Sequence, residues 1–248
     1  MENAQLVSLS RMKTLERHME VIANNVANLN TNGFKAEQML FEEYIGSNAS
    51  AESFESRDQD VYFVLDTQSI GDFNEGPISQ TGNPLDVAIK GDGFFAVETP
   101  AGERYTRDGS FTLDPEGRLV THDGHPVLGD AGPILFSPGE TNISITADGV
   151  ISTNEGEIGR LRVVSFDDPQ QLGRIGSNLF SADDLEPQAI ERPQLIQNAL
   201  EGANIDAVTG ISDMIKVQRA YQELANIMRN QNDLRQQAIS QLGTVQTA

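Results

Sequence analysis

The stretch VIANNVANLNTNGFK, residues 21–35, combines a helical pattern of apolar side chains with five asparagines in fifteen residues. Ile22, Val26 and Leu29 recur at spacings of four and three, which is typical of one face of an α-helix. Asparagine is a mediocre helix former because its side-chain amide competes for nearby backbone hydrogen bonds. Gly33 is well suited to a left-handed turn that ends the helix. The stretch therefore predicts a helix end whose amides serve a purpose other than helix formation.

The helical pattern continues towards the N-terminus and is repeated near the C-terminus. Apolar residues at heptad spacing predict one helix over residues 3–29 and a second over residues 205–242. The two apolar seams consist of Met12, Leu15, Met19, Ile22, Val26 and Leu29, and of Ile211, Met214, Val217, Tyr221, Leu224 and Met228. Because ordering a lone helix costs more free energy than burying one seam recovers, both helices need partners. They are predicted to pair as a coiled coil, with each other or with other subunits.

The middle of the chain has a different chemistry. All ten prolines fall between Pro77 and Pro193, and period-2 patterns in segments 86–90, 94–98 and 161–166 predict short strands. Turn pairs follow at short intervals, at Asp108-Gly109, Glu116-Gly117, Asp123-Gly124, Asp148-Gly149 and Glu155-Gly156. The sequence therefore predicts an α+β fold, in which N- and C-terminal long helices form a coiled-coil domain with a central all-β domain inserted between them.

The predicted domain boundaries follow the same change of pattern. Residues 1–35 and 203–248 are assigned to the terminal helical domain, and residues 76–185 to the central β domain. Residues 36–75 and 186–202 are assigned to connectors. Within the first connector, the polar residues 46–60 predict a loop.

The composition argues against several classes of function. The 37 acidic and 17 basic side chains give a formal charge of −20, which opposes binding to nucleic acid or to an anionic membrane surface. The absence of cysteine excludes disulfides and thiolate metal sites. No apolar run approaches the roughly 20 residues of a membrane span, and the first residues lack the apolar core of a secretory signal peptide. By these rules alone a cytoplasmic protein is expected.

No motif points to catalysis, a cofactor or a metal. His122 and His125 flank a predicted hairpin turn, and two histidines without a third ligand do not make a zinc site. Residues 91–96, GDGFFA, fit G-x-G-x-x-A, but β-type residues follow where a dinucleotide site needs a helix, so strand-turn-strand is predicted. Hydrolase, P-loop and zinc-protease signatures are absent from the sequence. We therefore predict no catalytic, cofactor-binding or metal-binding residues.

Two interpretations of the asparagines stay open on the residues alone. A helix end that grades into a turn accounts well for Asn30 and Asn32. Asn24, Asn25 and Asn28 lie within the heptad region, where amides make sense if other helices surround the helix. An amide can then donate and accept hydrogen bonds without a charge to desolvate, and a buried asparagine can fix helix register.

The sequence resembles one known family along nearly its whole length. Residues 8–37 are similar to the N-terminal signature of bacterial flagellar rod and hook proteins, with matches at Ala23, Asn24, Asn25, Ala27, Asn28, Asn30, Thr31, Gly33, Phe34 and Lys35. Residues 81–128 resemble the β domain of the rod proteins. Residues 200–205 resemble the family's L-E-x-S-N-V segment, with departures at Ala203 and Ile205, and Asn198 replaces a common glycine.

This resemblance implies a non-enzymatic subunit of the flagellar basal-body rod in the periplasm, which transmits torque. The short link over residues 63–86 favours the proximal rod subfamily over the distal one. Expected partners are other rod proteins, copies of the same chain, and the flagellar type III export apparatus, which would export the chain without a cleavable signal peptide. No nucleic acid, cofactor or small-molecule substrate is expected.

Two sets of site residues follow from this interpretation. Subunit packing is assigned to both seams together with Asn24, Asn25, Asn28, Asn30, Gly33 and Phe34. Phe41 and Ile45 fit the aromatic-x-x-x-apolar motif recognised by the export gate, and the alternative is a short apolar patch leading into the connector.

Two rival functions remain at this point. A secreted β-domain binding or adhesion module with a helical stalk should be a stable coiled-coil oligomer in dilute solution, whereas a rod subunit should be monomeric with disordered ends. An enzyme ranks third, and a tight, saturable small-molecule ligand of the β domain would favour it.

Overall fold

The fold is α+β, with a long helix on each side of a β-rich region. The computed structural model describes residues 2–46, 61–183 and 185–244. The helices are α1 (Glu2–Ala27), α2 (Ala207–Thr244) and a 3-10 helix, Pro169–Gln171. The strands are β1 (Glu37–Gly46), β2 (Val61–Gly71), β3 (Ile78–Gln80), β4 (Val87–Lys90), β5 (Phe94–Thr99), β6 (Gly102–Thr106), β7 (Thr112–Leu113), β8 (Leu119–Val120), β9 (Leu128–Gly129), β10 (Gly132–Pro133), β11 (Ser144–Ile145), β12 (Val150–Thr153), β13 (Gly156–Arg160), β14 (Val163–Ser165), β15 (Gly173–Gly176), β16 (Leu179–Ser181), β17 (Gln188–Ala189), β18 (Gln194–Gln197) and β19 (Ala199–Glu201).

The chain divides into two compact units. Unit 1 consists of Met1–Val26, Glu37–Ile70 and Asp206–Ala248, and unit 2 of Ala27–Ala36 and Gly71–Ile205. The predicted fold class is confirmed at the level of two helices and a β-rich centre, and the pairing of the helices as a coiled coil stays a prediction. None of the helices in the described part of the chain is both long and apolar enough to cross a membrane.

Unit 1 contains both helices and one two-stranded sheet. Along α2, Val217 is buried, and Met214, Tyr221, Leu224 and Met228 are partly buried. Strands β1 and β2 pair with each other, in a region that the sequence analysis assigned to a connector. Of the predicted loop 46–60, only Gly46 is described, as the last residue of β1, and the remainder lies outside the described residues.

The end of α1 corrects one prediction. The helix ends at Ala27 instead of residue 29, and a turn follows in which the Thr31 N–H donates to the Asn28 carbonyl at 3.0 Å. Gly33 has the expected left-handed φ of 65°, but it lies beyond this turn and does not cap the helix. The amide-rich segment favours local turns over further helical turns, which is the behaviour expected of asparagine.

Unit 2 is built around a six-stranded antiparallel sheet with the order β15-β16-β6-β5-β14-β17. Alternate side chains of β5 enter two different apolar clusters, Phe95 and Val97 one of them, and Phe94 and Ala96 the other. All four are buried because β5 is an interior strand with apolar residues against both faces. The predicted strand-turn-strand at residues 91–96 is confirmed, with β4 before the turn and β5 after it.

The strands nearest the C-terminal helix belong to unit 2, and not to the connector predicted over residues 186–202. Strand β18 pairs with β4, and β19 pairs with β3, both antiparallel. Between β18 and β19, Asn198 has a φ of 59°. Asparagine tolerates this left-handed conformation, which explains how it can replace the glycine expected there.

Candidate functional site

Two of the segments that carry the family resemblance, the first and the last, meet inside unit 2. We call residues 33–36 and 201–204, together with Arg107 and Arg174, the junction. The Gly33 N–H donates to the Glu201 carbonyl at 2.7 Å. The Asn204 side chain accepts from the Ala36 N–H at 2.7 Å and donates to the Asp72 carbonyl at 2.7 Å. These bonds join parts of the chain that are far apart in sequence.

A buried ion pair lies at the centre of the junction. Lys35 Nζ is 2.6 Å from Glu201 Oε1, and the two side chains are 0% and 1% exposed. Lys35 also donates to the Asn74 carbonyl at 2.7 Å, and Glu201 Oε1 accepts from the Gly76 N–H at 2.8 Å. Because a buried charge is tolerated only when it is paired and hydrogen-bonded, these partners make the burial of Lys35 and Glu201 possible.

Arg107 adds a second buried cation to the junction. Its Nη1 lies 3.7 Å from Glu201 Oε2, and its Nη2 donates to the Gly91 carbonyl at 2.7 Å. Its guanidinium carbon lies 5.5 Å from the centroid of the Phe94 ring. Burial lowers the pKa of the Lys35 ammonium, the charge of Arg107 lowers this pKa further, and Glu201 opposes the shift. Burial also lowers the pKa of Arg107. Glu201 therefore balances two cations.

Phe34 anchors the same segment through its ring. It is 5% exposed, and the Arg174 guanidinium lies over it at 4.8 Å from the ring centroid. Arg174 also lies 5.4 Å from the Phe180 ring centroid and donates to the Lys35 carbonyl. Cation–π contacts of this kind contribute about 0.5–2 kcal/mol each.

Gly33 occupies a position that leaves no room for a side chain unless its neighbours move. Its φ of 65° lies in the left-handed region, where a side chain is disfavoured. A Cβ at this position would lie 2.4 Å from the Arg107 carbonyl carbon and 2.6 Å from its oxygen. Close approach of two backbones, and not a helix cap, is therefore the reason for this glycine.

The structure gives some of the asparagines partners within the chain. In unit 1, the Asn25 amide donates to the Glu37 carbonyl at 2.8 Å and accepts from the Glu37 N–H at 3.0 Å. Asn25 thus satisfies both backbone groups of the first residue of β1. The Asn28 side chain accepts from the Thr31 hydroxyl at 3.1 Å. The surrounding helices proposed for these amides are therefore not needed to explain Asn25.

The predicted packing residues differ in exposure. Gly33, Phe34, Ile22 and Val217 are buried; Met12, Leu15, Met19, Asn25, Val26, Asn28, Leu29, Met214, Tyr221, Leu224 and Met228 are partly buried; Asn24, Asn30 and Ile211 are exposed. Leu15 of α1 and Leu224 of α2 line one groove of about 240 Å³ within unit 1. Phe41 and Ile45 lie in β1. Their assignments to subunit packing and export stay predictions.

Sequence reasoning did not identify Lys35, Arg107 and Glu201 as a buried cluster. The available signal was a pair of opposite charges, Lys35 and Glu201, in the first and the last of the segments that resemble the family. Nothing local to either segment shows that they meet, because the partners are 166 residues apart. Among the described residues, no group of three or more histidine, aspartate or glutamate side chains is placed to hold a metal ion.

Three family profiles match the chain. The profile described as flagella basal body rod protein matches residues 6–35, the flagellar hook protein FlgE/F/G D1 domain matches residues 88–153, and the flagellar basal body rod FlgEFG protein C-terminal region matches residues 196–242. Each matched segment contributes one charged member of the junction: Lys35, Arg107 and Glu201 in that order.

Curated relatives match over nearly their whole length. The flagellar basal-body rod protein FlgF of Caulobacter vibrioides is 39% identical over 99% of this chain and 100% of its own length. FlgF of Mesorhizobium japonicum is 36% identical over 98% of this chain and 99% of its own length. FlgG of Buchnera aphidicola is 33% identical over 95% of this chain and 98% of its own length. The architecture and these matches are those of a structural protein of the bacterial flagellum. The chain belongs to the flagellar basal-body rod protein family.

Proposed function

We propose that this chain is a structural subunit of the proximal rod of the flagellar basal body and transmits torque from motor to hook. The observation that carries the proposal is the similarity to FlgF rod proteins over nearly the whole length of both chains. The predicted domain boundaries are part of the proposal. Residues 1–35 and 203–248 form an inner coiled-coil layer, and the β domain, residues 76–185, forms the outer layer.

An exposed apolar row on α2 supports packing between subunits. Val208, Ile211 and Ile215 are 74%, 48% and 44% exposed. At 3.6 residues per turn they lie on the side of the helix opposite the buried Val217. Contiguous patches of exposed apolar residues often mark surfaces that bind other proteins. This row is the surface we assign to neighbouring rod subunits, including copies of the same chain.

Export through the flagellar type III apparatus completes the proposal. Phe41 and Ile45 are the residues assigned to the export-gate motif, and no cleavable signal peptide is required. Changing both to alanine should lower the amount of the chain secreted by cells without lowering its synthesis. The alternative, an apolar patch leading into the connector, predicts unchanged secretion.

Site-specific cross-linking tests the rod assignment, because the chain has no cysteine. Variants Leu9→Cys and Ile215→Cys place single thiols at exposed positions of α1 and α2. Cells are treated with a short thiol cross-linker, basal bodies are isolated, and adducts are identified by mass spectrometry. The cysteine-free parent chain is the control and should give no adducts through this chain.

The pattern of adducts separates the candidate functions. Adducts with other rod proteins, with only short self-adducts, support a proximal rod subunit. Long self-ladders would instead favour a distal rod subunit, the alternative assignment within the same family. Complete absence from basal bodies, with oligomers in the medium, would overturn the rod assignment in favour of a secreted binding module.

A further inference from the structure

Asn32-Gly33 is the one Asn-Gly dipeptide in the sequence, and it lies at the edge of the junction. The Gly33 N–H donates to the Glu201 carbonyl at 2.7 Å. The Asn32 carbonyl accepts from the Asn178 side chain at 2.7 Å. Both sides of this peptide bond are therefore held by residues that are distant in sequence.

We propose that Asn32 is a spontaneous deamidation site that is open in the unfolded chain and closed when the junction forms. The Gly33 nitrogen attacks the Asn32 side-chain carbonyl carbon and forms a five-membered imide. The bond from that carbon to Nδ2 breaks, and ammonia leaves with the proton from the Gly33 nitrogen. Water then opens the imide at either carbonyl, giving aspartate or isoaspartate. Glycine permits this attack because it has no side chain to obstruct it and moves freely.

The folded junction blocks the reaction at two points. To react, the Gly33 nitrogen must approach the Asn32 side-chain carbonyl carbon and lose its proton. In the folded chain, however, the Gly33 N–H donates to the Glu201 carbonyl. The backbone must also rotate, but the buried Phe34 fixes it on one side and the Asn178 contact fixes it on the other. Reaction in the folded chain therefore requires the junction to open first.

The isoaspartate product does not fit the closed junction. It lengthens the main chain by one methylene group next to Gly33. At Gly33 there is no room for even one extra carbon on the side of Arg107, where a Cβ would be 2.4 Å from the backbone. A chain that carries isoaspartate at position 32 before folding therefore cannot close the junction as the parent chain does, whereas the aspartate product keeps the main chain unchanged. In a chain that is exported unfolded, as the proposed function has it, deamidation limits how long a subunit can wait before it folds.

The test uses the purified full chain and does not depend on the rod assignment. The chain is incubated in mildly alkaline buffer with and without urea, and the tryptic peptide ending at Lys35 is followed by mass spectrometry and by isoaspartyl methyltransferase labelling. We expect Asn32 to deamidate about tenfold faster or more in urea. Asn142, exposed in an irregular segment, is the internal control and should change much less between the two conditions. Equal rates for Asn32 in both conditions would overturn the proposal.

Two further measurements test the chemistry and its consequence. In urea, Gly33→Ala should slow the reaction at Asn32, because the attacking nitrogen is then hindered, and folding plays no part in that comparison. Aged chains are next refolded and treated briefly with protease, and isoaspartate should be enriched in the digested fraction. An unchanged rate in Gly33→Ala, or isoaspartate spread evenly between the digested and resistant fractions, would contradict the proposal.

Discussion

At the scale of single residues, the junction depends on an unequal balance of charge. Glu201 is the carboxylate that faces both Lys35 and Arg107, and all three side chains are almost fully buried. Removing the carboxylate leaves two cations close together, with only the carboxylates of Glu75 and Asp92, which neither cation contacts in an ion pair, to offset them. Removing Lys35 instead leaves Glu201 beside Arg107, a neutral pair. The two partners of one ion pair should therefore have different effects on stability.

Glu201→Gln should lower the free energy of unfolding by about 3–5 kcal/mol, the usual cost of breaking a buried pair from one side. Lys35→Met should cost about 1–3 kcal/mol, because Glu201 and the Asn74 carbonyl each lose one donor. Urea unfolding followed by circular dichroism measures both. Glu98→Gln and Lys90→Met, which change exposed residues of unit 2, are the matched controls. A larger loss in Lys35→Met than in Glu201→Gln would refute the charge argument.

Alanine variants of two glycines with similar backbone angles distinguish the cost of a left-handed backbone from the cost of a steric clash. Gly33 and Gly82 have φ values of 65° and 80°, but a Cβ at Gly82 would meet nothing within 4 Å. Gly82→Ala should therefore cost about 1–2 kcal/mol, the price of a left-handed alanine. Gly33→Ala should cost about 1–3 kcal/mol more, because Arg107 must move. Equal losses of unfolding free energy in the two variants would show that the close approach to Arg107 does not contribute to the cost.

At the scale of elements, the turn that follows β6 contains a partly buried carboxylate. Asp108 accepts from the Ser110 N–H at 2.9 Å and from the Ser110 hydroxyl at 2.6 Å. Burial raises the pKa of the Asp108 carboxyl above its ordinary value of 3.8, although the Ser110 bonds oppose the shift. The turn is therefore a source of pH-dependent stability.

The sign of this dependence follows from proton binding. Between pH 3.8 and the raised pKa of Asp108, the folded chain binds more protons at this carboxyl than the unfolded chain does. The contribution of Asp108 to the free energy of unfolding therefore falls as pH rises. Asp108→Asn keeps an acceptor for Ser110 and should remove this decline, leaving the variant relatively more stable at neutral pH. Urea midpoints across the acid range measure the effect, with the exposed Asp148→Asn as the control. A variant that keeps the parent's slope would exclude Asp108 as its cause.

At the scale of the whole molecule, the two units differ in how they treat large apolar side chains. Unit 2 buries many of them in two clusters. On α2 in unit 1, the row Val208, Ile211 and Ile215 stays exposed. We attribute this exposure to assembly, since the row is of no evident use to a subunit in isolation.

The double change Val208→Ser and Ile215→Ser tests that attribution. Val208→Ser should lower the free energy of unfolding by no more than about 0.5 kcal/mol, because this side chain is 74% exposed. Ile215→Ser should cost about 1 kcal/mol, because this side chain is 44% exposed. Swimming in soft agar should nevertheless be lost, with the chain absent from isolated basal bodies. The control changes Leu135 and Ile175 of unit 2 to serine, two apolar residues that are 56% and 53% exposed, and should keep more motility. Normal swimming of the Val208→Ser, Ile215→Ser variant would show that this row does not form part of the assembly surface.

The sequence by itself determined the helices, the β-rich centre and the family. These depend on local patterns: heptad spacing places α1 and α2 within two residues of their predicted bounds, and turn glycines separate the strands. Only the tertiary structure decided that Lys35 pairs with Glu201, that Gly33 contacts the Arg107 backbone, and that Asn25 holds the start of β1. It also decided that both faces of β5 are buried. The reason is physical: a periodic pattern reports which face of an element is apolar, whereas the partner of a buried charge or a crowded glycine depends on which distant segments the fold brings together.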